Sequence, residues 1–180
     1  MIKNIILAGG CFWCTEAIFR RIKGVKNIFP GYIGGHTQNP TYKDVCTGGT
    51  GYAEAISVDY DSKIISLENI LMIFFLTHDP TTLNRQGNDI GTQYRSSIFN
   101  DDENEIKIIL DYINDLEKSN KLENNIVTTI EKKSTFYVAE NYHHNYFSLN
   151  KKVPYCSAII SPKVKKLMSS KSSLIREANF

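Results

Sequence analysis

The strongest constraint on this chain is the junction ILAGGCFWCTEA at residues 6–17. An apolar run ends in two glycines, two cysteines bracket a Phe-Trp pair, and a helix-forming segment follows. Lys3 to Ala8 reads as a buried strand. Gly9-Gly10 then permits a backbone turn that residues with a Cβ resist. From Cys11 or Phe12 to Lys23 the chain reads as a helix, with Gly24 as its stop. A strand that turns straight into a helix sets Cys11 beside unsatisfied N–H groups and the positive end of the helix dipole. Both favour a thiolate, and such positions lower a cysteine pKa from about 8.5 by one to several units. Cys11 is therefore a candidate nucleophile. The alternative is an inert core thiol, since free cysteine is among the most buried residue types. Phe12 and Trp13 argue against it, because two large aromatics at an exposed corner are expensive unless they line a pocket beside the thiol.

The rest of the chain alternates irregularly between strand and helix. Val25 to Ile33 reads as a second strand. Five glycines and Asn39-Pro40 between residues 34 and 51 mark a loop, with one helical turn from Thr41 to Cys46. Tyr52 to Tyr60 alternates, with Tyr52, Glu54, Ile56, Val58 and Tyr60 on one face. A carboxyl on that apolar face loses water and stays protonated near neutrality, which makes Glu54 a possible proton donor. A solvent-facing strand end, or an ion pair with an arginine such as Arg95, is the alternative. Ser66 is a plausible N-cap for an amphipathic helix ending near His78. His78 to Gly91 is a long polar segment of the kind that is functional or disordered. It brings Asp79 and Asp89, with Gln93 and Tyr94 just beyond, and Tyr42 lies in the other glycine-rich loop. Thr92 to Phe99 reads as a strand, Asp101 to Ser119 as a helix, Ile126 to Ile130 as a strand and Val138 to Leu149 as a last helix. With neighbouring strands at 25–33 and 52–60, the expected fold is α+β, a two-layer sandwich: a ferredoxin-like mixed sheet with helices packed on it and long active-site loops.

Composition narrows the function. With 180 residues, 42% of them apolar, the expectation is one domain over 1–180, with a less regular segment from about 150. Lys and Arg number 21 against 19 Asp and Glu, a formal charge of +2 too balanced for a nucleic-acid or acidic-membrane partner. Lys163, Lys165, Lys166, Lys171 and Arg176 are dispersed and read as a solvated surface. The apolar run near Met1 is shorter than a signal-peptide core, and none approaches the ~20 residues of a membrane span; a cytoplasmic protein is expected. Four cysteines, at 11, 14, 46 and 156, are too few and too uneven for a secreted disulfide framework, which leaves catalytic, metal-binding or buried thiols. C-x-x-C at 11–14 fits a thioredoxin-like oxidoreductase in spacing, but a tryptophan lies inside it and the βαβ context is missing. A zinc module needs two close ligand couples, and only one exists.

Four blocks, GCFWCTEAIFRRIKGV, GYIGGHTQNPTYKDVCTGGTGYAEAISVDYD, HDPTTLNRQGNDIGTQYRSSIF and AENYHHNYF, together resemble the A-type peptide methionine sulfoxide reductases. The likeness runs from about Lys3 to Lys166. It implies thiol-dependent reduction of methionine S-sulfoxide, free or in proteins, with Cys11 as nucleophile and Glu54 as proton-donating carboxylate. It further implies that Tyr42 and Tyr94 bind the sulfoxide oxygen, that Asp89 supports them, and that Phe12 and Trp13 hold the substrate methyl group. A sulfenic acid on Cys11 would be resolved by a second thiol and the disulfide opened by a dithiol such as thioredoxin. Cys156, near a position where relatives carry a resolving cysteine, is the favoured resolver. A Cys11–Cys14 bridge across the first helical turn is expected to strain it. Cys46 reads as structural. No cofactor or metal is implied, and a monomer is expected. Tyr52 replaces the usual histidine, with tuning of the site as the expected effect, and no catalytic role is given to His143 or His144.

Overall fold

The structure, a computed structural model, describes residues 1–176; the last four residues of the expected domain lie outside them. In chain order come β1 (Ile2–Gly9), α1 (Phe12–Phe19), β2 (Val25–Ile33), α2 (Tyr42–Cys46), β3 (Ala53–Asp61) and α3 (Leu67–Thr77). A short hairpin, β4 (Arg85–Gln86) and β5 (Asp89–Ile90), leads through a 3₁₀ turn at Thr92–Tyr94 into β6 (Ser96–Phe99). Then follow α4 (Glu103–Lys118), β7 (Thr129–Glu131), β8 (Tyr137–Val138), α5 (Tyr146–Leu149), a π-helical turn at Cys156–Ile160 and α6 (Ser161–Ser170).

Six strands form one sheet in the order β7-β6-β1-β3-β2-β8. All pairs are antiparallel except β6 with β7, so the sheet is mixed, as expected. Alternation divides its two faces. Ile5 and Leu7 of β1, with Ile56, Val58 and Tyr60 of β3, enter the main core beneath α1, α3 and α6. Ile6, Ala8, Ala53 and Ala55 point the other way, into a small cluster with Ile33 and Phe99. Each fully buried Leu or Ile of the main core contributes about 1.5–3 kcal/mol.

The helix caps follow the sequence. Ser66 Oγ accepts from Asn69 N at 3.3 Å, and Asp102 caps α4 through Asn104 N and Glu105 N. Thr41 and Asp44 form a reciprocal capping box on α2.

Several expectations need correction. The first helix stops at Phe19 and not at Lys23, because Ile22 pairs with Ile175 in an isolated bridge and the Arg21 carbonyl accepts from Arg176 N at 2.9 Å. The helix expected over 138–149 is instead an edge strand on β2, a 3₁₀ turn at Asn141–His143 and the short α5. Asn145 in the left-handed conformation, φ 54°, interrupts it, and Ala139 N is drawn to the Pro30 carbonyl at 2.8 Å. Residues 156–170, expected to be less regular, are helical. The segment 78–91 carries the β4–β5 hairpin.

Candidate active site

The strand-to-helix corner depends on its glycines. Gly10 has φ +87°, and a Cβ on it would come within 2.5 Å of the Gln86 side chain. A Cβ on Gly9 would meet the Phe74 ring at 2.8 Å. The turn delivers Cys11 as the N-cap of α1, at φ −57° and ψ 125°, outside the helix proper.

Glu54 reaches this corner from β3. Its Oε2 accepts the Phe12 backbone N–H at 3.0 Å, and the residue is 1% exposed. Burial pushes its pKa up to about 8, against the pull of the Phe12 N–H, with the Asp89 and Cys14 charges adding to the rise. The carboxyl is therefore protonated at neutral pH. Arg95, the alternative partner, pairs with Glu131 instead, at 3.1 Å.

Cys11 differs from expectation. Burial pushes its thiol well above the ordinary value, helped by the hydrogen bond to Cys14 and by the Glu54 charge; only the Trp13 backbone N–H pulls it down. Desolvation outweighs the helix terminus here, so the resting group is a thiol. Cys14 moves the other way, lowered first by its hydrogen bond with Cys11 and then by the Lys163 ammonium and the Tyr155 hydroxyl, while burial opposes.

Both thiols line a cleft of about 390 Å³ together with Gln86, Asp89, Tyr155 and Lys163. Tyr42 and Tyr94 border the same charges. Burial raises both phenols, and Glu54 is the next cause for each, with Cys11 among the others. Both are neutral hydrogen-bond donors near Glu54. Tyr42 is anchored by its own N–H, which donates to Glu140 Oε1 at 2.8 Å.

Trp13 stacks on Tyr146 at 3.8 Å between centroids, with 6° between planes, and its Nε1–H donates to His143 Nδ1 at 2.9 Å. Tyr42 lies 6.4 Å away. Phe12, expected beside the substrate, is 0% exposed and packs between Tyr32, Tyr42 and His143. As the first residue of α1 it falls on the sheet side and supports Tyr42 from behind. Cys156 is fully buried, raised first by burial and then by the Cys14 charge.

The structure thus brings Cys11, Glu54, Tyr42, Tyr94, Asp89 and Trp13 to one end of α1. Cys46, read as structural, is exposed at the end of α2. Gln93 donates to the Cys46 carbonyl at 3.5 Å, and Asp79 caps its own loop through Thr81. Tyr52 donates its hydroxyl to the Thr37 carbonyl and packs edge-on against Tyr137. Among the described residues no three His, Cys, Asp or Glu side chains gather as a metal site requires. Sequence reasoning missed Glu140 and Tyr155, and it gave His143 no catalytic role without finding its contact with Trp13. The adjacency of Tyr155 to Cys156 was the one signal available for it; the other two depend on contacts across more than ninety residues.

The family model described as peptide methionine sulfoxide reductase matches residues 3–174. A relative from Saccharolobus solfataricus, "Peptide methionine sulfoxide reductase MsrA", is 54% identical over 162 residues, covering 90% of this chain and 90% of its own. Among solved structures, reduced Mxr1 from Saccharomyces cerevisiae is similar with a TM-score of 0.77 and 39% identity, over 86% of this chain and 89% of that one. Mxr1 in complex with Trx2 is similar with a TM-score of 0.53 and 29% identity, over 81% and 84% of the two chains.

Proposed function

The chain belongs to the peptide methionine sulfoxide reductase family, and from that premise we propose that it reduces methionine S-sulfoxide through Cys11, with Glu54 as the acid. The enzyme is an oxidoreductase of the A type. The observation that carries the mechanism is the buried, protonated Glu54 carboxyl at the helix corner that presents Cys11.

A thiol attacks a sulfoxide sulfur poorly unless the sulfoxide oxygen gains a proton. Glu54 gives that proton, Tyr42 and Tyr94 donate hydrogen bonds to the same oxygen, and the Cys11 sulfur attacks the substrate sulfur. The oxygen passes to Cys11 as a sulfenic acid, the sulfide leaves as methionine, and the thiol proton replaces the one Glu54 gave. Trp13, held by Tyr146 and His143, offers a flat apolar wall for the substrate methyl group, and Asp89 borders the cleft opposite. The sulfenic acid condenses with a second thiol, releasing water, and the resulting disulfide involves Cys156. Thioredoxin is the reductant in this reading, which the complex of the similar Mxr1 with Trx2 supports. Among the described residues no helix is long and apolar enough to cross a membrane.

Reduced protein freed of reductant and mixed with excess racemic N-acetyl-methionine sulfoxide tests the reading. About one equivalent of sulfide, drawn from the S epimer alone, is expected in the absence of recycling. Sulfide from the R epimer, or none, refutes it.

A further inference from the structure

We propose that the catalytic cleft continues as a groove along α6, and that this groove selects methionine sulfoxide carried in an extended, acidic stretch of polypeptide. The inference rests on the reading of Cys11 as the sulfoxide-reducing nucleophile and names the substrate class of that same site.

Three hollows adjoin one another. The first is the cleft of about 390 Å³ that holds Cys11 and Cys14. It shares Gln86 and Lys163 with a second, of about 260 Å³. The second shares Leu76, His78, Asp79 and Lys166 with a third, of about 560 Å³, between α3, α4 and the end of α6. From Lys163 to Lys171 the helix rises about 12 Å, the length of about four residues of extended chain. A single residue anchored at Cys11 is too short to reach the third hollow, so a chain continuing beyond it is what the run accommodates.

The charges set the composition of that chain. Lys163, Lys166 and Lys171, which read from the sequence as solvated surface, line the run in that order, and Lys121 borders its far end. None of these four lysines makes an ion pair among the described residues. The two carboxylates along the way are already engaged. Asp89 accepts the Tyr155 hydroxyl at 2.6 Å, and Asp79 accepts the Thr81 N–H at 2.9 Å and the Thr81 hydroxyl at 2.6 Å. An arriving chain therefore meets a line of unpaired positive charge, which attracts acidic side chains and repels lysine and arginine. The whole protein carries only +2, so the line is a local feature.

The far hollow adds an apolar anchor. Phe75 and Tyr112 stack there at 5.7 Å between centroids and 21° between planes, beside Met72, Leu116 and Leu122. An apolar side chain about four residues from the sulfoxide covers this floor.

Short peptides, each with one methionine S-sulfoxide, are compared by kcat/KM with dithiothreitol as reductant, so that no protein reductant occupies the groove. In one peptide three Glu and then a Leu lie on the N-terminal side of the sulfoxide, in another on the C-terminal side; controls carry Gln or Lys in place of Glu. One of the two Glu peptides is expected to be reduced roughly tenfold more efficiently than its Gln counterpart, and the Lys peptide less efficiently than either, with the difference falling to about twofold in about 0.5 M NaCl. In Lys166→Glu/Lys171→Glu, the ratio between Glu and Gln peptides is expected to fall to one or to invert. Equal efficiency for Glu and Gln peptides in both directions overturns the groove, and so does a preference that survives the double variant. A double variant that keeps the preference but loses turnover driven by thioredoxin assigns the groove to the reductant, which also overturns it. If the double variant does not fold, the salt dependence of the unmodified protein decides, and a preference insensitive to salt overturns the groove. N-acetyl-methionine sulfoxide is too short to use the run. Failure to reduce it overturns the reading of Cys11 itself, whereas its reduction without any preference among the peptides overturns the groove alone.

Discussion

Tyr155 donates its hydroxyl to Asp89 at 2.6 Å across the cleft that holds Cys11, and sets its ring edge-on to Trp13 at 6.0 Å and 77°. One side chain thus occupies both the carboxylate and the indole that the proposed substrate requires.

Substrate entry must then displace this contact. A hydrogen bond to a charged group is worth about 1.5–3 kcal/mol, and Tyr155→Phe removes it while keeping the ring. The KM for N-acetyl-methionine sulfoxide is expected to fall by roughly tenfold, the equivalent of about 1.4 kcal/mol. Steady-state kinetics in which the variant's KM is equal or higher would show that Tyr155 helps bind the sulfoxide and does not compete with it.

Glu54 should control the first chemical step. Its carboxyl carries a proton below about 8 and loses it above. The first-turnover rate is expected to hold through neutrality and fall as pH rises through that value. Glu54→Gln keeps the shape but cannot give up a proton, and general acids contribute about 10²–10⁴-fold. A stopped-flow or quench measurement that finds Glu54→Gln within a few-fold of the unmodified rate would remove Glu54 from the mechanism.

The same carboxyl affects stability. Its folded pKa, about 8, lies above the ordinary 4.5, so between those values the folded state binds more protons than the unfolded one. Its contribution is full below about 4.5 and is lost as pH rises through about 8. Removing the titration with Glu54→Gln should therefore raise stability relative to the unmodified protein at pH 8.5, by up to a few kcal/mol, with little difference near pH 4.5. Denaturant melts at the two pH values test this; a gain that is the same at both contradicts it.

The sequence made these groups legible to different depths. The apolar alternation of 52–60 placed Glu54 on the core side, and the double glycine placed Cys11 at a helix start, because both are local patterns. The strand Val25–Ile33 and the Ser66 cap were legible for the same reason. The sign of the Cys11 shift was not, since burial by β3 and the C-terminal helical segment is a tertiary property that outweighs the local helix field. The helix expected over 138–149 failed where a sheet edge and a left-handed asparagine broke the segment. Tyr155 over Asp89 joins residues 66 positions apart, and nothing local announces it.

His143 holds the Trp13 indole through a hydrogen bond and is expected to take no part in proton transfer. It is 0% exposed, burial pushes its pKa down to about 4, and its Nδ1 accepts from the Trp13 indole. The ring is neutral at working pH, so it should add no titration between pH 5 and 8. His143→Leu leaves the indole N–H unpaired, at a cost of about 1–3 kcal/mol. The variant should lose that much stability and raise KM several-fold while the pH profile set by Glu54 keeps its midpoint. A shifted midpoint would mean that His143 takes part in proton transfer.

The corner itself is the last target. Gly10 lies in the left-handed region at φ +87°, where an L side chain costs about 1–2 kcal/mol. An added methyl must also displace the Gln86 side chain, whose Oε1 accepts from Asp79 N at 2.9 Å. Because the Gln86–Asp89 hairpin forms one wall of the cleft, the damage reaches the site as well as the fold. Gly10→Ala should therefore lower stability by about 2 kcal/mol and reduce the first-turnover rate more than stability alone explains, measured where the protein remains folded. Gly24→Ala is the comparison: Gly24 also has positive φ, +84°, but its Cβ would meet Ile65 and Ile64, far from the thiols. If both variants lose stability and keep the rate, the double glycine serves the fold alone.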